Sequence, residues 1–164
     1  MRFAVLCISD RGARGLREDK SGPLICEILT PYGQNVIYKC LPDERDLIAK
    51  ELALICDKNK ADFIFTTGGT GLAPRDVTPE ATLDIADRTV PGIAEAMRQK
   101  SLTITPMAML SRALAVVRGQ TLIINLPGSP KAAKENLETV LPVLQHAHAL
   151  LADKVEDCAS QLNK

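Results

Sequence analysis

The sequence contains no tryptophan, and aromatic residues make up only 3 % of it: Phe3, Tyr32, Tyr38, Phe63 and Phe65. That is too few for a platform on which single-stranded nucleic acid could stack. It also lacks an excess of either charge, with Lys plus Arg at 20 and Asp plus Glu at 20. Generic nucleic-acid binding depends on surplus positive charge, so the balance argues against it. No run approaches the roughly 18 consecutive apolar residues of a membrane span. The apolar stretch Phe3 to Ile8 is too short for a signal-peptide core, and no small-residue cleavage site follows it. We therefore expect no membrane partner. The cysteines, Cys7, Cys26, Cys40, Cys56 and Cys158, are odd in number and form no C-x-x-C. They read as free thiols of a reducing, cytoplasmic compartment. His146 and His148 are two residues apart on an expected helix and point in nearly opposite directions, which argues against a zinc pair.

What is present suits one globular domain. The 164 residues are 46 % hydrophobic and 24 % charged, enough for a single sizeable core. Four short runs read as buried parallel strands: Phe3 to Ser9, Asn35 to Leu41, Phe63 to Thr67 and Gln120 to Leu126. Between them lie stripes of helical spacing. One is Leu24, Ile25, Ile28 and Leu29; another is Leu47, Ile48, Leu52, Ile55 and Cys56. A third runs from Ala133 to Leu151 across Pro142, where a kink or two abutting helices are expected. Asp43, Thr78 and Ser129 read as helix N-caps. Alternating strands and helices predict an α/β fold, a three-layer α/β/α sandwich with a mostly parallel central sheet. We expect one domain over residues 1–152 and a short tail over 153–164.

In such a sheet ligands bind beyond the carboxyl ends of the strands, and that is where the polar residues gather. Ser9, Asp10 and Arg11 follow the first expected strand, Asp43 the second. The third leads into Thr66, Thr67, Gly68, Gly69, Thr70 and Gly71, then Arg75 and Asp76; the fourth leads into Pro127, Gly128, Ser129 and Pro130. Glycines at this density let backbone N–H groups approach an anion, although a plain tight turn has the same composition. The loop is not a Walker A motif, because no Gly-Lys-Ser/Thr follows, and Pro74 breaks the dinucleotide fingerprint. Asp43 and Asp76 are candidate Mg²⁺ ligands, supplying hard oxygens from two loops at one sheet edge. Each reads equally as a local cap or turn residue. Gly128 and Ser129 open a helix whose N-terminus suits a phosphate. Arg11, Arg14, Arg17 and Lys20 read as an anion-attracting loop or simply a solvated one. Ser111 reads as a ligand hydrogen-bond donor or a structural residue.

Taken together, TTGGTG-LAPRDVTPEA (Thr66 to Ala81), MLSR (Met109 to Arg112), Arg118-Gly119 and LIINLPGSP (Leu122 to Pro130) resemble the MogA/MoaB-type molybdenum-cofactor biosynthesis proteins. ISDR (Ile8 to Arg11), DKSG (Asp19 to Gly22) and LPDE (Leu41 to Glu44) fit the same pattern. The resemblance implies the same α/β sandwich and an Mg-ATP-dependent adenylylation of molybdopterin that releases pyrophosphate. It places the acidic, metal-holding pair on Asp43 and Asp76 and the ligand-contacting serine on Ser111. The phosphate-proximal turns fall on Thr67 to Gly71 and Pro127 to Ser129, with Ser9 and Arg11 orienting the pterin or the nucleotide. It further implies a homotrimer and contact with other proteins of molybdenum-cofactor synthesis. Many relatives carry glycine near Ala115-Val116, so Ala-Val-Val there is expected to alter helix packing near Ser111. The chain ends without the extension of the longer adenylyltransferases, so length does not separate a catalyst from a non-catalytic molybdopterin carrier of the same fold. An assembly protein whose oligomer is its function is a third reading.

Overall fold

A computed structural model of the chain describes residues 1–153. Its strands are β1 (Arg2–Ile8), β2 (Gln34–Leu41), β3 (Phe63–Thr67), β4 (Arg88–Thr89), β5 (Ala115–Arg118) and β6 (Thr121–Leu126). Its helices are α1 (Asp10–Ala13), α2 (Ser21–Leu29), α3 (Arg45–Asp57), α4 (Thr78–Asp84), α5 (Pro91–Leu102) and α6 (Pro130–Leu151). The sheet order is β2-β1-β3-β6-β5-β4. The first four strands in that order are parallel, while β5 runs antiparallel to both β6 and β4.

Each β1 side chain from Phe3 to Ile8 is buried, because helices cover both faces of the sheet. Successive side chains point to opposite faces. Phe3 and Val5 join Phe63, Phe65, Leu122 and Ile124 beneath α2, α5 and α6. Ala4, Leu6 and Ile8 join Ile64 and Ile123 beneath α3 and α4. The Phe3 ring lies 5.8 Å from that of Phe63 and 6.2 Å from that of Phe65, so three of the few aromatics concentrate on one face.

The sandwich stands as expected, with differences of detail. β4 and β5 make a six-stranded, mixed sheet. The Ala-Val-Val segment lies in β5, where Ala115 and Val116 face Ile124 and Ile123 across an antiparallel pair, with Ala115 packed in the layer of α5 and Val116 in that of α3. Helix α6 is a single helix through Pro142 rather than two, because Pro142 lies on its exposed side, where water can satisfy the carbonyl one turn back. Ser129 caps α6 through its hydroxyl, which accepts from the Ala132 N–H at 3.2 Å. Asp43 is not a cap: α3 is preceded by Glu44, and the Asp43 carboxylate turns elsewhere. Thr78 lies within α4, and its hydroxyl donates to the Gly68 carbonyl instead. The expected tail lies, beyond Asp153, outside the described residues, as does Cys158.

A buried polar knot ties the layers. Asn125 Nδ2 donates to the hydroxyls of Thr66 and Thr82, each at 3.0 Å, and its Oδ1 accepts from the Leu114 N–H at 3.2 Å. All three side chains are fully buried. Asn125→Ala strands these groups in the core. It is expected to lower the unfolding free energy by about 1–3 kcal/mol, measured by urea denaturation.

Candidate active site

The parallel strands carry their following loops to one rim, and glycine lets those loops touch. Gly68, at the end of β3, has φ +101°, and a Cβ there would stand 2.3 Å from the Ile8 carbonyl oxygen at the end of β1. A Cβ on Gly128, after β6, would stand 3.2 Å from the Gly68 Cα. Hydrogen bonds fasten the junction. The Gly68 N–H donates to the Leu126 carbonyl at 3.2 Å, Thr67 Oγ1 to the Pro127 carbonyl at 2.7 Å, and Ser21 Oγ to the Gly128 carbonyl at 2.9 Å. The Gly68 amide is thus engaged, contrary to its expected place in a phosphate cradle. The N–H groups of Gly69, Thr70 and Gly71 donate to no group among the described residues. With Gly69 at φ +63°, they form a run of free donors of the kind that receives an anion.

Both acidic candidates flank this loop. A Cβ on Gly69 would lie 3.3 Å from Asp43 Oδ1, and one on Gly71 would lie 2.8 Å from Asp76 Oδ2. Asp43 is held by a reciprocal exchange with Asp10. The Asp10 N–H donates to Asp43 Oδ2 at 2.7 Å, and the Asp43 N–H donates to Asp10 Oδ1 at 3.1 Å. Arg75 closes on Asp10 through Nε and Nη2, at 3.0 and 2.8 Å. That guanidinium holds the Asp10 carboxyl below the usual range. Burial pushes the Asp43 carboxyl up, and the negative charges of Asp10 and Asp76 add to it against the Asp10 N–H and Arg75.

No cluster of three or more His, Cys, Asp or Glu side chains suited to a metal occurs among the described residues. Two aspartates are nevertheless oxygen donors of the kind Mg²⁺ uses when substrate phosphates and water complete its shell, and the free amides beside them suit those phosphates. A half-buried carboxylate destabilised by its neighbours is one that a cation would relieve. The residues present therefore fit Mg²⁺ and do not fit a closed structural zinc site.

Hollows lie on either side of the loop. One of about 670 Å³ is lined by Ser9, Thr67, Gly68, Gly128 and Ser129, with Arg17, Asp19 and Lys20 at its mouth and Cys7 in its wall. A smaller, more apolar one of about 280 Å³ is lined by Thr70, Gly71, Ser111 and Pro127, with Ile104, Met107 and Leu110. Asp43 faces a third, shallow hollow with Arg75. Arg11 is exposed and lines none of them; the turn after α1 brings in Arg17 and Lys20 instead. Burial, reinforced by Asp19, pushes the Cys7 thiol well above its ordinary pKa. Local sequence pattern assigns Arg75 and Arg112 no site role. Arg112 bonds the carbonyls of Gly71 and Asp76, and the pairing of PRD with ISD is the available sign for Arg75.

A glycine turn with free amides, two aspartates and a chamber edged by lysine and arginine meet at the strand ends, a combination whose chemistry suits phosphate-bearing ligands. Residues 4–146 match the family described as probable molybdopterin binding domain, and the chain belongs to that family. It is 46 % identical over 154 residues to the molybdopterin adenylyltransferase of Helicobacter pylori, covering 92 % of this chain and 88 % of that one. It is also 46 % identical over 145 residues to the Escherichia coli (strain K12) molybdopterin adenylyltransferase, covering 85 % and 73 %. Among solved structures, the molybdopterin biosynthesis enzyme MoaB of Thermus thermophilus superposes with a TM-score of 0.88 at 53 % identity, covering 93 % and 97 %.

Because Asp43 holds its proton more tightly in the folded chain than in the unfolded one, it subtracts stability as pH rises through the ordinary Asp value and its raised folded value. Asp43→Asn keeps an oxygen for the Asp10 N–H and removes that charge. The variant is expected to melt no lower than the unmutated protein at pH 7. The difference between the two should close below a pH of about 3.9, as read by thermal melts across pH.

Proposed function

We propose that this protein acts in molybdenum-cofactor biosynthesis by adenylylating molybdopterin with ATP, releasing pyrophosphate. The observation that carries the reading is the pair Asp43 and Asp76 beside one glycine loop that offers free amides. The identities with curated molybdopterin adenylyltransferases over most of the chain support it.

In this reading an oxygen of the pterin's terminal phosphate attacks the α-phosphorus of ATP. One P–O bond forms, the bond to the β-phosphate bridge breaks, and pyrophosphate carries off the electron pair. No covalent enzyme intermediate is needed, so the chain contributes positioning and charge. The amides of Gly69, Thr70 and Gly71, with those of Gly128 and Ser129, bind phosphate oxygens. Arg17 and Lys20 draw the anionic substrates inward. Ser9 and Ser111, in different hollows, orient the two substrates. Asp43 and Asp76 would hold Mg²⁺, whose charge offsets that of the α-phosphate and the departing pyrophosphate.

Among the described residues Cys7, Cys26, Cys40 and Cys56 are free thiols, and we place the protein in the cytoplasm; no helix among those residues is long and apolar enough to cross a membrane. Leu102, Ile104, Met107, Met109 and Leu110 are exposed apolar side chains within one segment. They support self-association, for which we propose the homotrimer, with other pathway proteins as further partners.

Asp76→Asn is expected to fold and to bind molybdopterin while losing pyrophosphate release with Mg-ATP by about 10²-fold or more, some 3 kcal/mol of transition-state stabilisation. Release at the unmutated rate would remove Asp76 from the mechanism. No release from the unmutated, pterin-bound protein would favour a carrier.

A further inference from the structure

Between Thr70 and Thr78 the chain leaves the sheet as irregular loop, with Leu72, Ala73, Pro74 and Arg75 exposed. Asp76 sits in this stretch. Its own side chain accepts from the Ala73 N–H at 3.0 Å, and its N–H donates to the Ala73 carbonyl at 2.9 Å. Both bonds are internal to the loop. Arg75 ties the neighbouring position to Asp10, and Thr78 returns to Gly68, but the peptide of Asp76 itself is held by Arg112. The Arg112 N–H donates to the Thr70 carbonyl at 3.0 Å and its Nε to the Gly71 carbonyl at 2.7 Å, while Nη2 donates to the Asp76 carbonyl and Nη1 to Glu80 Oε1. One residue thus grips the glycine turn, the peptide that bears Asp76 and the first turn of α4.

Each of the three guanidinium nitrogens is engaged by one of these partners. The guanidinium charge is matched by Glu80, whose other oxygen is buried without a partner among the described residues. A planar fork of N–H donors suits this task, since it spans separate carbonyls in fixed directions; an ammonium cannot do so. The neighbouring Ser111 lines the smaller hollow. Adjacent residues thus line that hollow and hold the peptide that bears Asp76.

We propose that Arg112 is a positioning residue: by holding the carbonyls of Gly71 and Asp76 it sets where the Asp76 carboxylate stands beside the glycine turn, and so the site's grip on its divalent cation. This rests on the adenylyltransferase reading for its kinetic consequence, but not for its structural one. Arg112 acts through Asp76 and touches neither substrate.

The test compares the unmutated protein with Arg112→Gln and Arg112→Lys. Hydrogen exchange over residues 68–77 and Mn²⁺ binding by electron paramagnetic resonance, with a non-hydrolysable ATP analogue present, need no turnover. Arg112→Gln is expected to speed exchange in this loop and weaken Mn²⁺ binding. It should lower kcat for pyrophosphate release by about 10²-fold, the scale of a misplacement near 1 Å, and raise the Mg²⁺ concentration for half-maximal rate. KM for molybdopterin should stay within about twofold. Arg112→Lys should fall between, and it carries the test if the glutamine variant does not fold. Unchanged exchange and Mn²⁺ binding, with activity lost only in proportion to the folded fraction, would overturn the proposal. So would a raised KM for ATP at unchanged kcat, which would make Arg112 a phosphate ligand. If the unmutated protein releases no pyrophosphate, the enzymatic reading fails while exchange and Mn²⁺ binding still decide the role of Arg112.

Discussion

The structure turns on a backbone contact. At the rim of the sheet the ends of β1, β3 and β6 converge until the Gly68 Cα faces the Ile8 carbonyl and lies against Gly128. No side chain fits between them. The contact is possible because three adjacent parallel strands end at one level and because glycine occupies two of the three positions. The polar groups of the rim are fastened to that point. Thr78 reaches back to the Gly68 carbonyl, Thr67 reaches across to Pro127, and Ser21 reaches over to Gly128. The rigid sheet thereby dictates the course of the loops, although the loops have little regular structure of their own.

On this frame the electrostatics are left unbalanced. Asp10 has its own arginine, but Asp43 does not; it accepts one N–H and feels Arg75 only as the weakest of its influences, against burial and like charge. A domain optimised only for stability would not keep such a group. The buried knot at Asn125 and two apolar layers beneath the rim offset the cost, a division common where function and stability compete. The aspartate that resists ionisation is also the one a bound cation would stabilise most.

Much of this is legible in the amino-acid order, and the reasons are specific. β1, β3 and β6 are buried on both faces, so they read as mostly apolar runs. The glycine-rich turn and the two aspartates stand out by composition. Two strands do not. β4 is only Arg88–Thr89, both exposed, and carries no hydrophobic signal. β5 is four residues long, and its sign is the Gly119-Gln120 turn before β6, with Gly119 at φ +55°. The partners of Arg75 and Arg112 escape notice for another reason. A long cation in a loop looks solvated, and these partners lie far along the chain: 65 residues for Arg75 with Asp10, 36 for Arg112 with Asp76. Local pattern registers neither, nor does it show the turn that carries Arg11 away from the chamber and Arg17 into it.

The thiol in the chamber wall has a chemical consequence. Cys7 stands in the wall of the larger hollow, and burial and Asp19 hold its thiol well above the ordinary pKa. In the proposed reaction a thiolate at that place would compete with the acceptor phosphate and divert the activated adenylyl group onto the protein. The same apolar strand packing that completes the core thus makes the container inert toward its contents.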